Sequence, residues 1–327
     1  MNDTLTAIAG IRVGHIDDHT TVTGCTVILL PPHTTASVDV RGGAPGTRET
    51  DLLAPECTVQ HIHAICLAGG SAYGLAAADG VMRYLREQNV GFDVGVGKVP
   101  IVPAAVIFDL TCGDPLAHAT ADMGYTAAAA ATAEPVIEGN AGAGYGATVG
   151  KIRGAESWMK GGVGSTAITL PDGTCVAALV VNNAFGDIYN IQSGAILAGA
   201  RSPDGTFLDT TAFLRGGTRI PDFAGGNTTL VVVATDATLT KSECRKLAQM
   251  AQDGMARAIR PVHTPYDGDV IFVVSTNDRP ALPMMQLGTA AADIVAVAIA
   301  RSVQCATSLP GIPAMSDRSL ADARSAV

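Results

Sequence analysis

The chain has 327 residues, of which 47% are hydrophobic and 16% charged, and its formal net charge is −9. An acidic chain without a basic cluster is a poor partner for nucleic acid or for an anionic membrane, so both classes of function are excluded. The seven scattered cysteines have no metal-ligand spacing, which indicates free thiols in a reducing cytoplasm and no metal site. Low charge content favours a homo-oligomer, and the N-terminal residues lack the pattern of a secretion signal.

The first half of the chain alternates short strands with two helices. Apolar and β-branched runs predict strands at residues 11–15, 21–30, 35–40 and 64–71. Patterns rich in small residues predict helices over 72–88 and 116–133. Residues 139–150 are dense in glycine, which is typical of a loop.

The second half predicts strands at 167–170, 174–182 and 270–275, separated by a loop-rich region over 184–226. The spacing Thr240-x-x-Glu243 is a capping box that opens a helix, and Pro261 stops its pattern. Residues 289–303 are apolar nearly all round, which indicates a buried helix. No linker divides the chain, so we expect a single domain over 1–327, built as a layered α/β sandwich rather than a doubly wound parallel sheet.

One stretch carries the strongest chemical signal. Gly225-Gly226-Asn227 leads into the apolar run 228–235, which is typical of a turn that feeds a buried strand. A hydroxyl at the mouth of such a strand needs a partner, so Thr228 is a poor choice for packing alone. If the Asn227–Thr228 bond were cut, the new α-amino group, which titrates near ~7.7–8, would be the base that the Thr228 hydroxyl needs to act as a nucleophile.

Two other patterns fail on their spacing. Gly69-Gly70-Ser71-Ala72-Tyr73 has Tyr where the nucleophile elbow of a serine hydrolase needs Gly. The glycine-dense loop ends in Gly150-Lys151, but it lacks the first glycine and the final Ser or Thr of a phosphate-binding loop. The failed elbow and the lack of a convincing His/Asp pair argue against a serine hydrolase that uses Ser71 or Ser165.

Seven segments of the chain each have an ordinary explanation when they are taken alone, but the whole set in its order does not. The segments are VDVRGGA (38–44), AICLAGGSAYGL (64–75), AVIFD (105–109), GAG (142–144) with GK (150–151), VVNN (180–183), GNTT (226–229) and HTPYDGD (263–269). Together they resemble the DmpA-like family of self-cleaving aminopeptidases, which includes L-aminopeptidase/D-esterases, β-peptidyl aminopeptidases and the nylon-oligomer hydrolase. The resemblance spans roughly residues 10–305.

The resemblance implies a four-layer αββα sandwich, similar to N-terminal nucleophile hydrolases but differently connected, without cofactor or metal. It implies self-cleavage between Asn227 and Thr228 into an α fragment of residues 1–227 and a β fragment of residues 228–327. The implied activity is the hydrolysis of a small peptide or amide through an acyl-enzyme on Thr228. Family members commonly assemble as tetramers of αβ units.

The family's motifs also imply a role for each matching residue. Asn183 matches the amide side chain that binds the oxyanion, and Lys151 matches the lysine beside the nucleophile. Asp267 and Asp269 match the pair that holds the nucleophile's amine and hydroxyl. An Asp/Asp pair at these positions resembles the nylon-oligomer branch more than the peptidase branch.

Phe108, Lys98, Gly144 and Tyr145 are the substrate-binding positions that the resemblance implies. Phe108 falls where several members have a Tyr that assists substrate binding. Lys98 falls near an acidic residue that some members use for the substrate's amino group. Both departures disfavour α-aminopeptidase activity and leave amide hydrolysis intact. Two alternatives stay open: an acyltransferase that passes the same acyl group to an amine, and an uncleaved, non-catalytic binding protein.

Overall fold

The computed structural model describes residues 2–217 and 226–317, so Gly225 at the start of the predicted turn lies outside the described residues. The strands in these ranges are β1 (Arg12–Asp18), β2 (Thr23–Leu29), β3 (Thr35–Val40), β4 (Thr47–Arg48), β5 (Ala64–Ala68), β6 (Phe92–Asp93), β7 (Lys98–Val99), β8 (Ala104–Val106), β9 (Thr148–Val149), β10 (Met159–Lys160), β11 (Gly162–Thr169), β12 (Cys175–Asn183), β13 (Asp187–Tyr189), β14 (Ile196–Ala198), β15 (Thr228–Ala237), β16 (Ile259–Arg260) and β17 (Val270–Arg279). The α-helices are α1 (Ala77–Glu87), α2 (Ala121–Ala129), α3 (Thr210–Arg215), α4 (Lys241–Ala258) and α5 (Met284–Gln304).

Two five-stranded sheets form the centre of the fold. The first sheet has the strand order β1-β2-β5-β8-β4, and the second sheet has the order β11-β12-β15-β17-β3. Within each sheet one neighbouring pair is parallel, β5 with β8 and β15 with β17, and the other pairs are antiparallel. This mixed pairing agrees with the expected sandwich and differs from a doubly wound parallel sheet.

Burial on both faces of β15 shows how the layers are built. Leu230 and Val232 belong to the core between the two sheets, whereas Val231 and Val233 belong to the core beneath α4 and α5. A strand covered on both faces reads as a continuous apolar run, which is what the sequence has here. A third core packs α1 and α2 on the outer face of the first sheet. The layers are therefore helices, sheet, sheet, helices, and the predicted αββα sandwich is confirmed.

Some predicted elements have different lengths. α2 begins only after Thr120, whose hydroxyl caps the helix by accepting from the Met123 N–H, and it ends early because Thr132 pairs with Val13 of β1. The predicted strand 167–170 is the end of a longer strand, β11. Its glycines conceal it in the sequence: a Cβ on Gly164 would stand 2.0 Å from the Ala298 carbonyl oxygen of α5.

The region 184–217 is predicted to consist mainly of loops, but it contains more secondary structure than that, namely β13, β14 and α3. The Asp187 carboxylate organises it by accepting from the Ala200 and Thr210 N–H groups and from the Thr210 hydroxyl. The predicted capping box of α4 is confirmed by hydrogen bonds in both directions between Thr240 and Glu243. α5 is long and apolar enough to cross a bilayer by length and composition alone, but it packs on the second sheet as a core helix.

Candidate active site

Three strand ends of the second sheet meet at one edge. β12 ends at Asn183, which lies opposite Thr228 at the start of its antiparallel neighbour β15. β17 runs parallel to β15 and begins at Val270, so the turn of residues 267–269 reaches the same edge. Lys151 follows β9 and joins this edge through its backbone N–H, which donates to the Phe185 carbonyl just beyond β12. Residues distant in sequence thus converge on Thr228.

The peptide bond before Thr228 is held in a defined environment. The Thr228 hydroxyl donates to the carbonyl oxygen of Asn227 at 2.5 Å. The same oxygen accepts from the backbone N–H of Gly268 at 2.8 Å. A Cβ at Gly268 would stand only 2.8 Å from Thr228 Oγ1, so glycine leaves the room that the hydroxyl occupies. A nucleophile candidate and a polarised carbonyl are therefore neighbours.

Lys151 is buried against the segment that precedes this bond. Its Nζ donates to the backbone oxygen of Asn183 at 3.0 Å, to Asn183 Oδ1 at 2.8 Å and to the Gly226 oxygen at 2.8 Å. Burial lowers the pKa of Lys151 to about 7, against the weaker influence of nearby acidic groups. A buried lysine of this kind exchanges its proton near neutral pH, which surface lysines do not.

The side-chain amide of Asn183 has a fixed orientation. Its Oδ1 accepts from Lys151 Nζ and, at 3.0 Å, from the Thr148 N–H. Its Nδ2 therefore turns the other way, towards the oxygens of Phe108 at 3.2 Å and Gly226 at 3.3 Å. A neutral donor that is fixed before the reaction is suited to stabilising an oxyanion.

Asp267 is buried beside Asp269 in the turn before β17. Its carboxylate accepts from the N–H and the hydroxyl of Thr264 and, at 3.4 Å, from the Phe185 N–H. Burial, and then the charge of Asp269, raise the pKa of Asp267 to about 6. This carboxyl group is therefore partly protonated in weakly acidic solution.

Asp269 links the turn to the start of β15. Its Oδ1 accepts from the Thr229 N–H at 2.7 Å, and its Oδ2 accepts from the His263 N–H at 3.0 Å and lies 2.9 Å from His263 Nδ1. In this structure both carboxylates are thus engaged by backbone N–H groups, while the Thr228 hydroxyl donates to the Asn227 oxygen instead. The contacts of the Asp pair with the Thr228 hydroxyl that the family resemblance implies are not made here.

A cavity of about 280 Å³ opens beside Thr228. Its lining is Ala44, Pro45, Gly46, Ser71, Ala72, Val106, Ile107, Phe108, Gly226, Asn227 and Thr228. None of these described lining residues carries a charge. The Phe108 ring borders the backbone that leads to the candidate bond, since a Cβ on Gly226 would stand 3.1 Å from it.

A family model described as "Peptidase family S58" matches residues 3–315. The chain belongs to peptidase family S58. It is 43% identical over 347 aligned positions to an uncharacterized aminopeptidase of Mycobacterium leprae, covering 95% of this chain and 92% of that protein. It is 31% identical over 303 positions to a 6-aminohexanoate-oligomer endohydrolase of Kocuria sp., covering 90% of this chain and 81% of that protein. The predicted family is confirmed, and the chain is an amide-bond hydrolase.

Two solved structures share the fold of this S58 chain. A β-aminopeptidase of Burkholderia sp. superposes with a TM-score of 0.73 at 22% identity, over 99% of this chain and 93% of that one. An L-aminopeptidase D-Ala-esterase/amidase of Ochrobactrum anthropi gives 0.69 at 19% identity, over 95% and 88% respectively. This second protein is described as a new variant among the Ntn hydrolase fold, in agreement with the predicted αββα class.

Three of the substrate-binding positions predicted for this S58 chain lie away from the cavity beside Thr228. Lys98 is exposed on the hairpin of β6 and β7 and lines two other cavities. The carbonyl of Gly144 accepts from Lys160 Nζ at 2.9 Å, and the Tyr145 hydroxyl lies 3.0 Å from His19 Nδ1. Of the four predicted positions, Phe108 alone lines the cavity that Thr228 lines. Lys98, which falls near the acidic position that some family members use for the substrate's amino group, therefore does not border this cavity.

Several groups at this S58 site were not predicted. Asp109 is buried directly after the lining residue Phe108, and it accepts from the Thr23 hydroxyl at 2.8 Å and the Gly70 N–H at 2.6 Å. Burial raises the pKa of Asp109 to about 6. The sequence does contain an indication of this residue, because a carboxylate at the end of the apolar run 105–109 is unusual for a buried segment. The N–H groups of Thr148 and Gly268 left no signal, because every residue except proline has one.

The surroundings of Ser165 and Ser71, the two serines of the alternative serine-hydrolase interpretation, differ from each other. Ser165 is buried with its hydroxyl donating to Ala178 and accepting from the Leu5 N–H, which is a structural arrangement. Ser71 lines the cavity, at a positive φ of 54°. Across residues 2–217 and 226–317, no group of three or more His, Cys, Asp or Glu side chains is arranged to hold a metal ion.

Proposed function

We propose that the chain cleaves itself between Asn227 and Thr228 and then hydrolyses amide bonds with Thr228 as an N-terminal nucleophile. The observation that carries the proposal is the position of the Thr228 hydroxyl, 2.5 Å from the carbonyl oxygen of the preceding residue. That carbonyl is polarised by the Gly268 N–H, which lies 2.8 Å from its oxygen. The hydroxyl therefore lies beside the carbonyl group that it attacks in the proposed mechanism.

The cleavage proceeds through an ester. Thr228 Oγ1 forms a bond to the carbonyl carbon of Asn227, the C–N bond breaks, and the hydroxyl proton is transferred to the departing nitrogen. The Gly268 N–H stabilises the oxyanion during this step. Water then hydrolyses the ester, which releases the Asn227 carboxylate and restores the Thr228 hydroxyl. The result is a free α-amino group on the nucleophile.

The mature enzyme repeats this chemistry on a substrate. The α-amine of Thr228 accepts the hydroxyl proton as Oγ1 attacks the substrate carbonyl, and it returns that proton to the leaving amine. Such an amine has a pKa of about 7.7–8, so a useful fraction is unprotonated at neutral pH. Water then attacks the acyl-enzyme, and the acid product leaves. The nucleophile and its base thus belong to one residue.

Lys151 and Asn183 prepare this site for a substrate carbonyl. In the uncut chain both donate to the oxygen of Gly226. Once cleavage releases the segment that ends at Asn227, a substrate carbonyl takes the place of that oxygen, and Asn183 Nδ2 stabilises its developing charge. In its protonated form, Lys151 lowers the pKa of the new amine and favours the free amine that serves as a base.

Asp269 and Asp267 hold the new N-terminus. Asp269 already accepts from the N–H of Thr229, the next residue along β15, and Asp267 pairs with Asn227 across an isolated bridge. A nearby carboxylate stabilises the protonated form of the Thr228 amine, whereas a positively charged Lys151 destabilises it. The balance between them sets the pKa of the catalytic base.

The substrates that we propose are small peptides or amides with an uncharged acyl group. The described lining of the cavity is apolar apart from Ser71, Asn227 and Thr228, so it offers no partner for a charged group. The names of the relatives, an uncharacterized aminopeptidase and a 6-aminohexanoate-oligomer endohydrolase, agree with peptide or amide substrates. We also propose that the αβ units form a homotetramer, in keeping with the low content of charged residues, 16%.

A denaturing mass measurement tests the proposal. Self-cleavage yields two fragments of 227 and 100 residues (327 − 227 = 100), and N-terminal sequencing of the smaller one begins at Thr228. An intact chain of 33.2 kDa in material that hydrolyses amides would refute the mechanism. An intact chain without activity would favour a binding protein instead. Native mass spectrometry of the same sample tests the tetramer, and an amine added to the assay reveals any acyl transfer.

A further inference from the structure

Lys160 is a fully buried lysine that forms no ion pair with any residue that the structure describes. Its relative exposure is 0%, and its Nζ donates to the backbone oxygens of Gly144 at 2.9 Å, Ala147 at 3.0 Å and Gly161 at 3.0 Å. Within the described residues no carboxylate forms an ion pair with it. Burial lowers the pKa of Lys160 to about 7. A solitary buried ammonium group is expensive, so its presence requires a reason.

The groups that Lys160 holds lead directly to the amide of Asn183. Lys160 lies opposite Thr148 in the two-stranded pair of β9 and β10. The Thr148 N–H donates to Asn183 Oδ1 at 3.0 Å, and Ala147, one residue earlier, is held by Lys160. Lys151 lies three residues further along the same segment. The two side chains that hold the Gly226 oxygen thus depend on a backbone segment that Lys160 anchors.

We propose that Lys160 is a positioning residue for the hydrolytic site, acting through the Thr148 N–H to fix the orientation of the Asn183 amide. Two carbonyls of the glycine-dense loop, those of Gly144 and Ala147, and the carbonyl of Gly161 turn inward towards one ammonium group, and this fixes β9 beside the end of β12. Without the Lys160 ammonium group, the Thr148 N–H is no longer held in place, and the Asn183 amide loses its fixed orientation. The inference rests on the proposed function, because it assigns the oxyanion to Asn183.

The chain contains a matched control for a purely structural role. Lys241, at the start of α4, is 3% exposed and donates to three backbone oxygens, those of Leu52 at 2.9 Å, Cys57 at 3.2 Å and Val59 at 3.0 Å. These carbonyls lie in the segment after β4 and do not line the cavity beside Thr228. Loss of either lysine removes three hydrogen bonds from an ammonium group to backbone oxygens, but only the three made by Lys160 lead to Asn183.

The experiment compares Lys160→Met with Lys241→Met in the full chain, with kcat expressed per folded site. Both variants are expected to lose stability in urea denaturation. We expect kcat for an amide substrate to fall about tenfold in Lys160→Met with KM within about twofold, as for a misaligned oxyanion donor. In Lys241→Met both constants stay close to those of the wild type. Lys160→Gln, which keeps a donor, serves if the methionine variant does not fold, and we expect a smaller loss.

A double-mutant cycle separates positioning from general loosening. If Lys160 acts through Asn183, Lys160→Met has little further effect on kcat in an Asn183→Ala background. An equal loss of kcat in both backgrounds, or a loss in Lys241→Met as large as that in Lys160→Met, overturns the inference. Failure of the proposed function looks different: the wild type then stays uncut, or Asn183→Ala alone leaves kcat unchanged.

Discussion

Replacing Thr228 by valine removes the hydroxyl and keeps the shape of the side chain. Among the described residues the hydroxyl has one hydrogen-bond acceptor, the Asn227 oxygen, and that oxygen retains the Gly268 N–H. No buried acceptor is therefore left without a donor. The loss is expected to cost about 1 kcal/mol of unfolding free energy, and a chain of this size then unfolds only a few degrees lower, roughly 2–4 °C.

The chemical effect of the same substitution is far larger. Removing the nucleophile of a catalytic unit slows the reaction by about 10⁶-fold, so a cleavage that is complete within an hour becomes undetectable during a preparation. We expect Thr228→Val to give a single species at 33.2 kDa by denaturing mass spectrometry, and no amide hydrolysis. A folded chain that is neither cut nor active separates the chemical role of the hydroxyl from any structural one.

Two further variants sharpen this test. Thr228→Ser keeps a hydroxyl at the same position and is expected to be cut. Thr229→Val makes the same change one residue later, where the buried hydroxyl has no hydrogen-bond partner among the described residues, and it too is expected to be cut. Fragments of 227 and 100 residues from Thr228→Val would refute the assignment of the nucleophile.

Three other predictions rest on the contacts of the same site. Asn183→Asp keeps an acceptor for the Thr148 N–H but loses the donor, so we expect kcat to fall about 10²–10³-fold, and an unchanged kcat in steady-state assays would remove the oxyanion role. Gly268→Ala places a Cβ 2.8 Å from Thr228 Oγ1, and we expect gel assays to show slower self-cleavage in a folded chain. Because the pKa of Asp109 is raised from 3.8 to about 6, the folded state binds its proton more tightly than the unfolded state does. The wild type should therefore lose about 2–3 kcal/mol relative to Asp109→Asn as pH rises from about 4 to about 6, and a constant difference in urea denaturation would contradict this.

The sequence predicts the layers of the fold well where a strand or helix is continuous. The apolar run after Thr228 indicates a strand buried on both faces, and the capping box at Thr240 marks the start of α4 correctly. β11 is harder to predict, because Gly162 and Gly164 leave room for the backbone of α5 and contribute no apolar side chain to a periodic pattern. Close backbone packing of this kind has no periodic signature.

The site is predictable only in part for a similar reason. No spacing rule places Lys151, Asn183 and Asp267 near Thr228, because these residues are far apart in sequence. The family resemblance indicates that they belong to one site. The strand register shows how Asn183 and the turn of Asp267 reach Thr228. Neither a spacing rule nor the family resemblance predicts the position of Lys160. Nothing in the sequence distinguishes a buried lysine that binds carbonyl oxygens from one on the surface, because its partners are backbone atoms.

The contacts of the continuous chain relate the proposed cleavage to the activity. The Gly226 oxygen occupies Lys151 and Asn183, and the Asn227 oxygen occupies both the Gly268 N–H and the Thr228 hydroxyl. The Asn183 amide, the donor that the proposed mechanism assigns to a substrate, is thus already bound to the chain's own backbone. Hydrolysis of an added amide then requires more than the new amine: the segment ending at Asn227 must also leave the donors it occupies. In the proposed mechanism, self-cleavage supplies the base and frees the backbone end in one event, so a precursor that works in this way is protected from acting on other amides before it has matured.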